Sequence, residues 1–311
     1  MSWTIAADQA GVRLDKYLAG EGRAGSRAKA ADALTRGKVF LNEREASLKD
    51  AARPLAAGDV VRLWIDRPGS ARKRSTAAED RDLPILYEDD AVIVLNKPPG
   101  LLAVPLPLAR RYDAPSVYEQ LQGYLRRRGR RKPFVVHRID RDTSGLVVFS
   151  KSAAAQLTLK EQFKRREPER VYQAIVYGHP SPAAGEWRDY LVWDLKALIQ
   201  KETTARDPRA KEAICHYRVT ESMAATSLIE VSLVTGKRNQ IRIQARLRGH
   251  TLVGESRYTY GPDELRPIEF PRQALHAARL TFRHPDDGME MRFEAPLPED
   301  MSALLKRLRR A

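Results

Sequence analysis

Residues 137–152 read HRIDRDTSGLVVFSKS. The run leaves an apolar stretch (PFVV), passes a Thr-Ser-Gly turn and enters a second apolar stretch (GLVVF). Charged side chains at a strand end beside a glycine turn stand where active-site loops stand. Asp140 and Asp142 are carboxylates in a basic stretch, with Arg138 and Arg141 flanking the first. A carboxylate near arginines stays ionised, and an ionised carboxylate serves as nucleophile or general base. On residue types alone, a turn with local ion pairs fits equally well. Working outward, residues 83–311 hold many strand-like runs: DAVIVLNK, GLVVFSK, RVYQAIVYG, TSLIEVSLVTG and ARLTFRH. Ile229, Val231 and Leu233 alternate with Glu230 and Ser232, the period of a half-buried strand. Helical stretches lie between, notably Ser152 to Arg166 and Gln240 to Arg248, the latter ended by Gly249. Strands dominate, with no βαβ alternation and no GxGxxG run. The reading is an α+β domain with a mostly antiparallel or mixed sheet.

Residues 1–66 read as a smaller, separate domain. Leu14, Tyr17 and Leu18 recur at helical spacing. In GSRAKAADALTRG, Ser26 can cap a helix that Gly37 ends. KVFLN and GDVVRLW read as strands, with a turn at Asn42 to Arg44. Residues 67–82, RPGSARKRSTAAEDRD, are polar and charged and read as a flexible linker.

The 311 residues carry a formal net charge of +15. So basic a chain attracts a polyanion. A membrane is the rival, but no stretch reaches the roughly 18 apolar residues of a span, and Met1 to Ala10 lacks the charged and apolar parts of a signal peptide. Nucleic acid is therefore expected, with no membrane and a cytoplasmic location. The single cysteine, Cys215, excludes an internal disulfide and a Cys-rich metal site; it reads as a buried structural thiol. No metal or cofactor is expected, and a monomer is. The basic run RRRGRRK, Arg126 to Lys132, reads as an RNA-facing loop.

The HRIDRDTSG run resembles the HRLDxxTSG signature of the RluA-type RNA pseudouridine synthases, with Ile139 in place of leucine. NKPPG (Asn96 to Gly100) resembles that family's NKPxG turn, RVYQAIVYG its K-x-Y-x-A strand, and LVTGKRNQIRIQ its L-x-T-G-R-x-H-Q-I-R-x-H run. GHTLVGESRYTYG and LHAARLTFRHP are similar to two later stretches, so the likeness extends over most of residues 83–298. It implies Asp140 as the catalytic carboxylate, Tyr172 at the active site and Arg242 as the arginine paired with Asp140. Lys97, Arg138, Arg141, Lys237 and Arg238 are the expected RNA contacts around the site. This chain departs from the pattern at Lys237, Arg238, Asn239 and Gln244, departures expected to bear on which RNA is bound. If residues 240–248 are helical, Arg242 and Arg246 share a face, with Arg238 just before it.

The first segment is similar to the S4 RNA-binding domain through RLDKYLA, SRAKAADALTRGKVFLN and GDVVRLW. The resemblance implies a small S4-like α/β RNA-binding domain, with Arg13, Arg27, Lys29 and Lys38 as contacts that position without reading sequence. Basic residues there number 11 against 8 acidic over residues 1–65, so placement rather than bulk charge carries the reading. The implied substrate is RNA, ribosomal RNA of the large subunit ahead of transfer RNA. Whether Asp140 attacks C1′ or removes the C2′ proton stays open. Two other readings stand beside isomerisation: an RNA-binding protein on an inactive scaffold, and a glycosidase that hydrolyses the same bond.

Overall fold

The computed structural model describes residues 1–67, 83–105, 115–129, 132–195, 197, 199–259, 261–262 and 266–310. Contacts within the chain divide it into two compact units. The first holds residues 1–67; the second holds 83–104 and 116–310. Most of the expected linker, and Arg130 and Arg131 of the basic run, lie outside the described residues. Arg67, expected to open the linker, makes contacts within the first unit. Its guanidinium meets Glu45 at 2.7 Å, donates to the Gly37 carbonyl and lies 4.8 Å from the Phe40 ring centre.

The first unit has strands β1 (Ser2–Thr4), β2 (Val39–Leu41), β3 (Arg44–Glu45) and β4 (Val60–Leu63), with helices α1 (Leu14–Leu18) and α2 (Arg27–Thr35). The sheet runs β1-β4-β2-β3, all antiparallel. Leu14, Leu18, Leu34, Val39, Leu55 and Val61 make its core. The Ser26 hydroxyl accepts the Lys29 N–H at 3.2 Å and starts α2 as its sequence suggests. Asn42 and Glu43 both adopt positive φ, the geometry a tight hairpin requires.

The second unit contains β5 (Ile85–Glu88), β6 (Val92–Lys97), α3 (Val117–Arg127), β7 (Phe134–Val135), β8 (Ser144–Ser150), α4 (Ala153–Arg165), β9 (Glu169–Tyr177), β10 (Ala184–Asp194), β11 (Ile199–Thr203), β12 (Lys211–Ser222), β13 (Thr226–Leu233), α5 (Gln240–Leu247), β14 (Leu275–Arg283), β15 (Glu290–Glu294) and α6 (Glu299–Leu308). Its mixed sheet runs β11-β10-β12-β13-β9-β14-β8-β6-β5, with β15 on β14 and β7 on β8. Only the β14–β8 pairing is parallel among the described strands. The middle strands are covered on both faces, which explains their unbroken apolar runs: every residue of β8 is buried, and all of β6 except Asn96. Gly145 sits where β8 meets β14. Its φ is +110°, and a Cβ there would lie 2.3 Å from the Ala277 carbonyl oxygen, so only glycine lets the strands close. The segment 137–143 therefore enters the centre of the sheet at a fixed point, with β9 and the β13–α5 connection nearby.

Candidate active site

Asp140 lies in the turn before β8, where its carbonyl accepts the Thr143 N–H at 3.2 Å. Two buried cations hold the next two carbonyls. The Lys97 ammonium donates to the carbonyls of Arg141 (2.7 Å), Pro98 (2.8 Å) and Leu101 (2.8 Å). Arg272 donates to the Asp142 carbonyl at 2.9 Å, while Asp300 on α6 grips it at 2.7 and 2.9 Å. Buried backbone groups demand such partners. Lys97 is fully buried, and burial pushes its ammonium down to about 7, against the pull of Asp142 and Asp140. This corrects the expectation that Lys97 contacts RNA. Its three protons go to backbone carbonyls, so it fastens the NKPPG turn to the Asp140 turn.

The carboxylate of Asp140 is held through one oxygen. Oδ2 accepts from Asn239 Nδ2 at 2.7 Å and from Arg242 Nη1 at 3.3 Å. Arg242 does pair with Asp140, but its two-pronged contact is with Glu255, at 2.6 and 2.7 Å through Nε and Nη2. The Glu255 side chain is wholly buried. Burial alone would raise its carboxyl; the Arg242 guanidinium and the N–H groups of Arg257 and Tyr258 reverse this, and the net direction is down. The expected basic stripe along α5 is also corrected: Arg242 is buried and turned inward, whereas Arg246 is exposed.

These residues open on a cleft of about 580 Å³ lined by Arg138, Asp140, Tyr172, Lys237, Arg238 and Arg242 among others. Tyr172 reaches it from β9, opposite Val231 of β13 and Ala277 of β14. Burial pushes its phenol up to about 12, with Arg170 opposing and Asp140 adding, so the hydroxyl keeps its proton at neutral pH. His137 also lines the cleft, stacked 4.8 Å from the Phe163 ring, its Nε2 accepting the Val148 N–H. Burial pushes its imidazole down to about 3, which leaves it neutral and unsuited to acid catalysis. Lys164, Arg166 and Arg170 add positive charge to the wall. Arg238 lies 4.0 Å from the Trp193 ring centre, and such stacking on an aromatic face holds a guanidinium in place.

The structure thus brings together Asp140, Tyr172, Arg242, Arg138, Lys237 and Arg238. Arg141 is exposed and outside the cleft lining, contributing its carbonyl to Lys97. In the first unit Arg27 and Lys29 are exposed and Lys38 is half-buried, while Arg13 makes two 3.0 Å contacts with Asp15. Sequence reasoning missed Asn239, Glu255, Tyr258 and Arg272. A carboxylate following Gly254 in GHTLVGES was the available signal for Glu255. The departures in the α5 motif also divide in a way the sequence did not suggest. Asn239 lines the cleft and touches the carboxylate itself, whereas Gln244 is fully buried, donating to Trp187, Asp189 and Ala213. Cys215 is buried, its thiol pushed up to about 12 by burial. Among the described residues no group of three or more His, Cys, Asp or Glu is placed to hold a metal ion, and no helix is long and apolar enough to cross a membrane.

The sequence pattern of the family described as RNA pseudouridylate synthase matches residues 91–247, which carry Asp140, Tyr172 and Arg242. The chain belongs to the RNA pseudouridylate synthase family. As a member it is an RNA isomerase, and the RluA-type likeness drawn from HRIDRDTSG agrees. Relatives align along nearly the whole chain. Ribosomal large subunit pseudouridine synthase D of Zymomonas mobilis is 35% identical, over 98% of this chain and 96% of its own. A Bacillus subtilis protein described as an uncharacterized RNA pseudouridine synthase is 34% identical, over 99% and 97%. The structure of human RNA pseudouridylate synthase domain containing 4 superposes with a TM-score of 0.59 at 21% identity, covering 72% of this synthase and 92% of the human chain; that likeness concerns the fold.

Proposed function

We propose that this synthase converts uridine to pseudouridine in large-subunit ribosomal RNA, with Asp140 as its catalytic carboxylate. The observation that carries the reading is the setting of Asp140: a carboxylate in a basic cleft, facing a neutral tyrosine and held through one oxygen by Arg242 and Asn239. The reaction breaks the N1–C1′ bond, turns the base and forms a C5–C1′ bond; C5 loses a proton and N1 gains one. The nucleotide must leave its stack to be reached. Tyr172 offers a π-face for the turned base, where stacking contributes about 1–3 kcal/mol. Asp140 acts on the sugar, at C1′ or on the C2′ proton. Arg138, Lys237 and Arg238 contact the RNA backbone at the rim. The first unit acts as an S4-like RNA-binding domain, with exposed Arg27 and Lys29 on α2 meeting phosphates. The choice of ribosomal RNA rests on the names of full-length relatives.

The test is incubation with C5-tritiated transcripts of bacterial large-subunit ribosomal RNA and of transfer RNA. Tritium release from the ribosomal transcript, matched by pseudouridine and without free uracil, is expected. Free uracil would mean a glycosidase, and release from transfer RNA alone would move the substrate there.

A further inference from the structure

We infer that Asn239 is a further positioning residue for the reaction, fixing Asp140 so that Oδ1 alone is offered to the nucleotide. The inference rests on the reading of Asp140 as the catalytic carboxylate. Both donors reach the same atom, Oδ2; among the described residues no hydrogen bond reaches Oδ1. Arg242 has Nε and Nη2 on Glu255 and reaches Asp140 only through Nη1, the longer contact. Asn239 therefore supplies the shorter hold on the carboxylate.

The orientation of the Asn239 amide is fixed from behind. The Tyr258 hydroxyl accepts the Gln200 N–H at 3.0 Å, and its own proton goes to Asn239 Oδ1 at 3.3 Å. With the carbonyl end of the amide engaged, Nδ2 must face Asp140. An amide end is assigned by its network of partners, and here the network permits one choice. The chain Gln200–Tyr258–Asn239–Asp140 thus ties strand β11 to the carboxylate.

The backbone narrows which residues can do this. Asn239 has φ +53° and ψ +24° as the cap of α5, a conformation that Asn, Asp and His adopt more readily than other non-glycine residues. Of these three, aspartate would repel Asp140 and histidine would donate but change charge near neutrality. Asparagine donates at every pH. The substitution of asparagine for the expected histidine in KRNQIR thus gives this chain a donor that does not titrate.

Asn239→Asp and Asn239→His test this, since both suit the backbone. The other groups acting electrostatically on Asp140 are Arg138 in its loop, Lys97 on β6, Tyr172 on β9, Tyr258 and Arg242, and both variants leave them in place. The first readout is the carboxyl ¹³C titration of Asp140 in the RNA-free full-length protein. Asn239→Asp should move this titration upward, as a like charge does. The second is the single-turnover rate against pH on the C5-tritiated ribosomal transcript at saturating enzyme. Asn239→Asp should move the acidic limb upward and lower the rate roughly tenfold or more at neutral pH, with RNA affinity retained. Asn239→His should keep most of the rate. An unmoved carboxyl titration in Asn239→Asp, or a loss in Asn239→His as deep as in Asn239→Asp, would overturn the inference. If the wild type releases no tritium, the functional reading falls while the carboxyl titration still decides the role of Asn239.

Discussion

Two sets of cations, one from each unit, contrast. In the first unit Arg27 and Lys29 lie exposed on α2, and Arg13 keeps 44% of its side chain open to solvent. In the second unit Lys97, Arg242 and Arg272 are buried, and each joins segments far apart in the chain: Lys97 to Arg141, Arg242 to Glu255 and Asp140, Arg272 to Asp300 and Asp142. The difference separates two uses of a basic residue. An exposed ammonium or guanidinium is available to phosphates, where affinity comes from released counterions. A buried one must satisfy its protons inside the protein, and in doing so fixes the backbone or carboxylate it touches. A strongly basic chain can therefore devote part of its charge to holding one of its own turns, here the Asp140 turn.

The largest effect expected is on chemistry alone. Asp140→Asn should abolish isomerisation while RNA affinity stays at the wild-type level, because in the proposed role this carboxylate serves the reaction rather than phosphate binding. Substantial residual turnover would shift the role to Asp142 and break the account of the turn. Next comes Arg242→Met, which leaves Glu255 buried without its cation and should cost roughly 3–5 kcal/mol in denaturant unfolding. Arg242→Lys should recover only part, since an ammonium cannot match the two-pronged contact with Glu255. Wild-type stability in Arg242→Met would show that the pair is not what orders the site.

Lys97→Met sharpens the contrast. Three carbonyls are left without their donor, at about 1–3 kcal/mol for each group buried and unsatisfied, yet the salt dependence of RNA binding should not change. Arg27→Ala with Lys29→Ala should do the reverse: stability within about 0.5 kcal/mol, and a log–log salt slope shallower by roughly 0.7–0.9 for each phosphate that α2 no longer neutralises. A reduced slope in Lys97→Met, or an unchanged one in the α2 variant, would erase the distinction.

The last effect is on how stability depends on acid. Glu255 has its carboxyl lowered in the folded state. Its contribution is therefore full above the unfolded value and is lost as pH falls through the folded one. Glu255→Gln should flatten the decline of stability below about pH 5; an unchanged decline would assign acid sensitivity to other carboxylates, such as Asp300 and Asp89, whose values are also lowered.

These contrasts mark what the sequence could and could not disclose. Local signals were legible: Ser26 as a cap, the Asn42 turn, the alternation of Ile229 and Val231, the glycine after α5. So was the Asp140 turn, because its residue types sit close together in one run. Lys97 was misread because its motif names a basic residue beside a turn, whereas its burial comes from β6 lying inside the sheet, covered on both faces. Asn239 and Glu255 escaped for a related reason. Asn239 is 99 residues from Asp140 and Glu255 is 13 from Arg242, and no periodicity in the chain announces that these side chains meet.

Base-resolution pseudouridine mapping of large-subunit ribosomal RNA tests the central claim most directly, comparing cells that carry the wild-type protein, none, or Asp140→Asn. The account predicts at least one pseudouridine present with the wild type and missing from both other strains, with uridine in its place. An unchanged map in the strain lacking the protein, or a restored modification with Asp140→Asn, would contradict it.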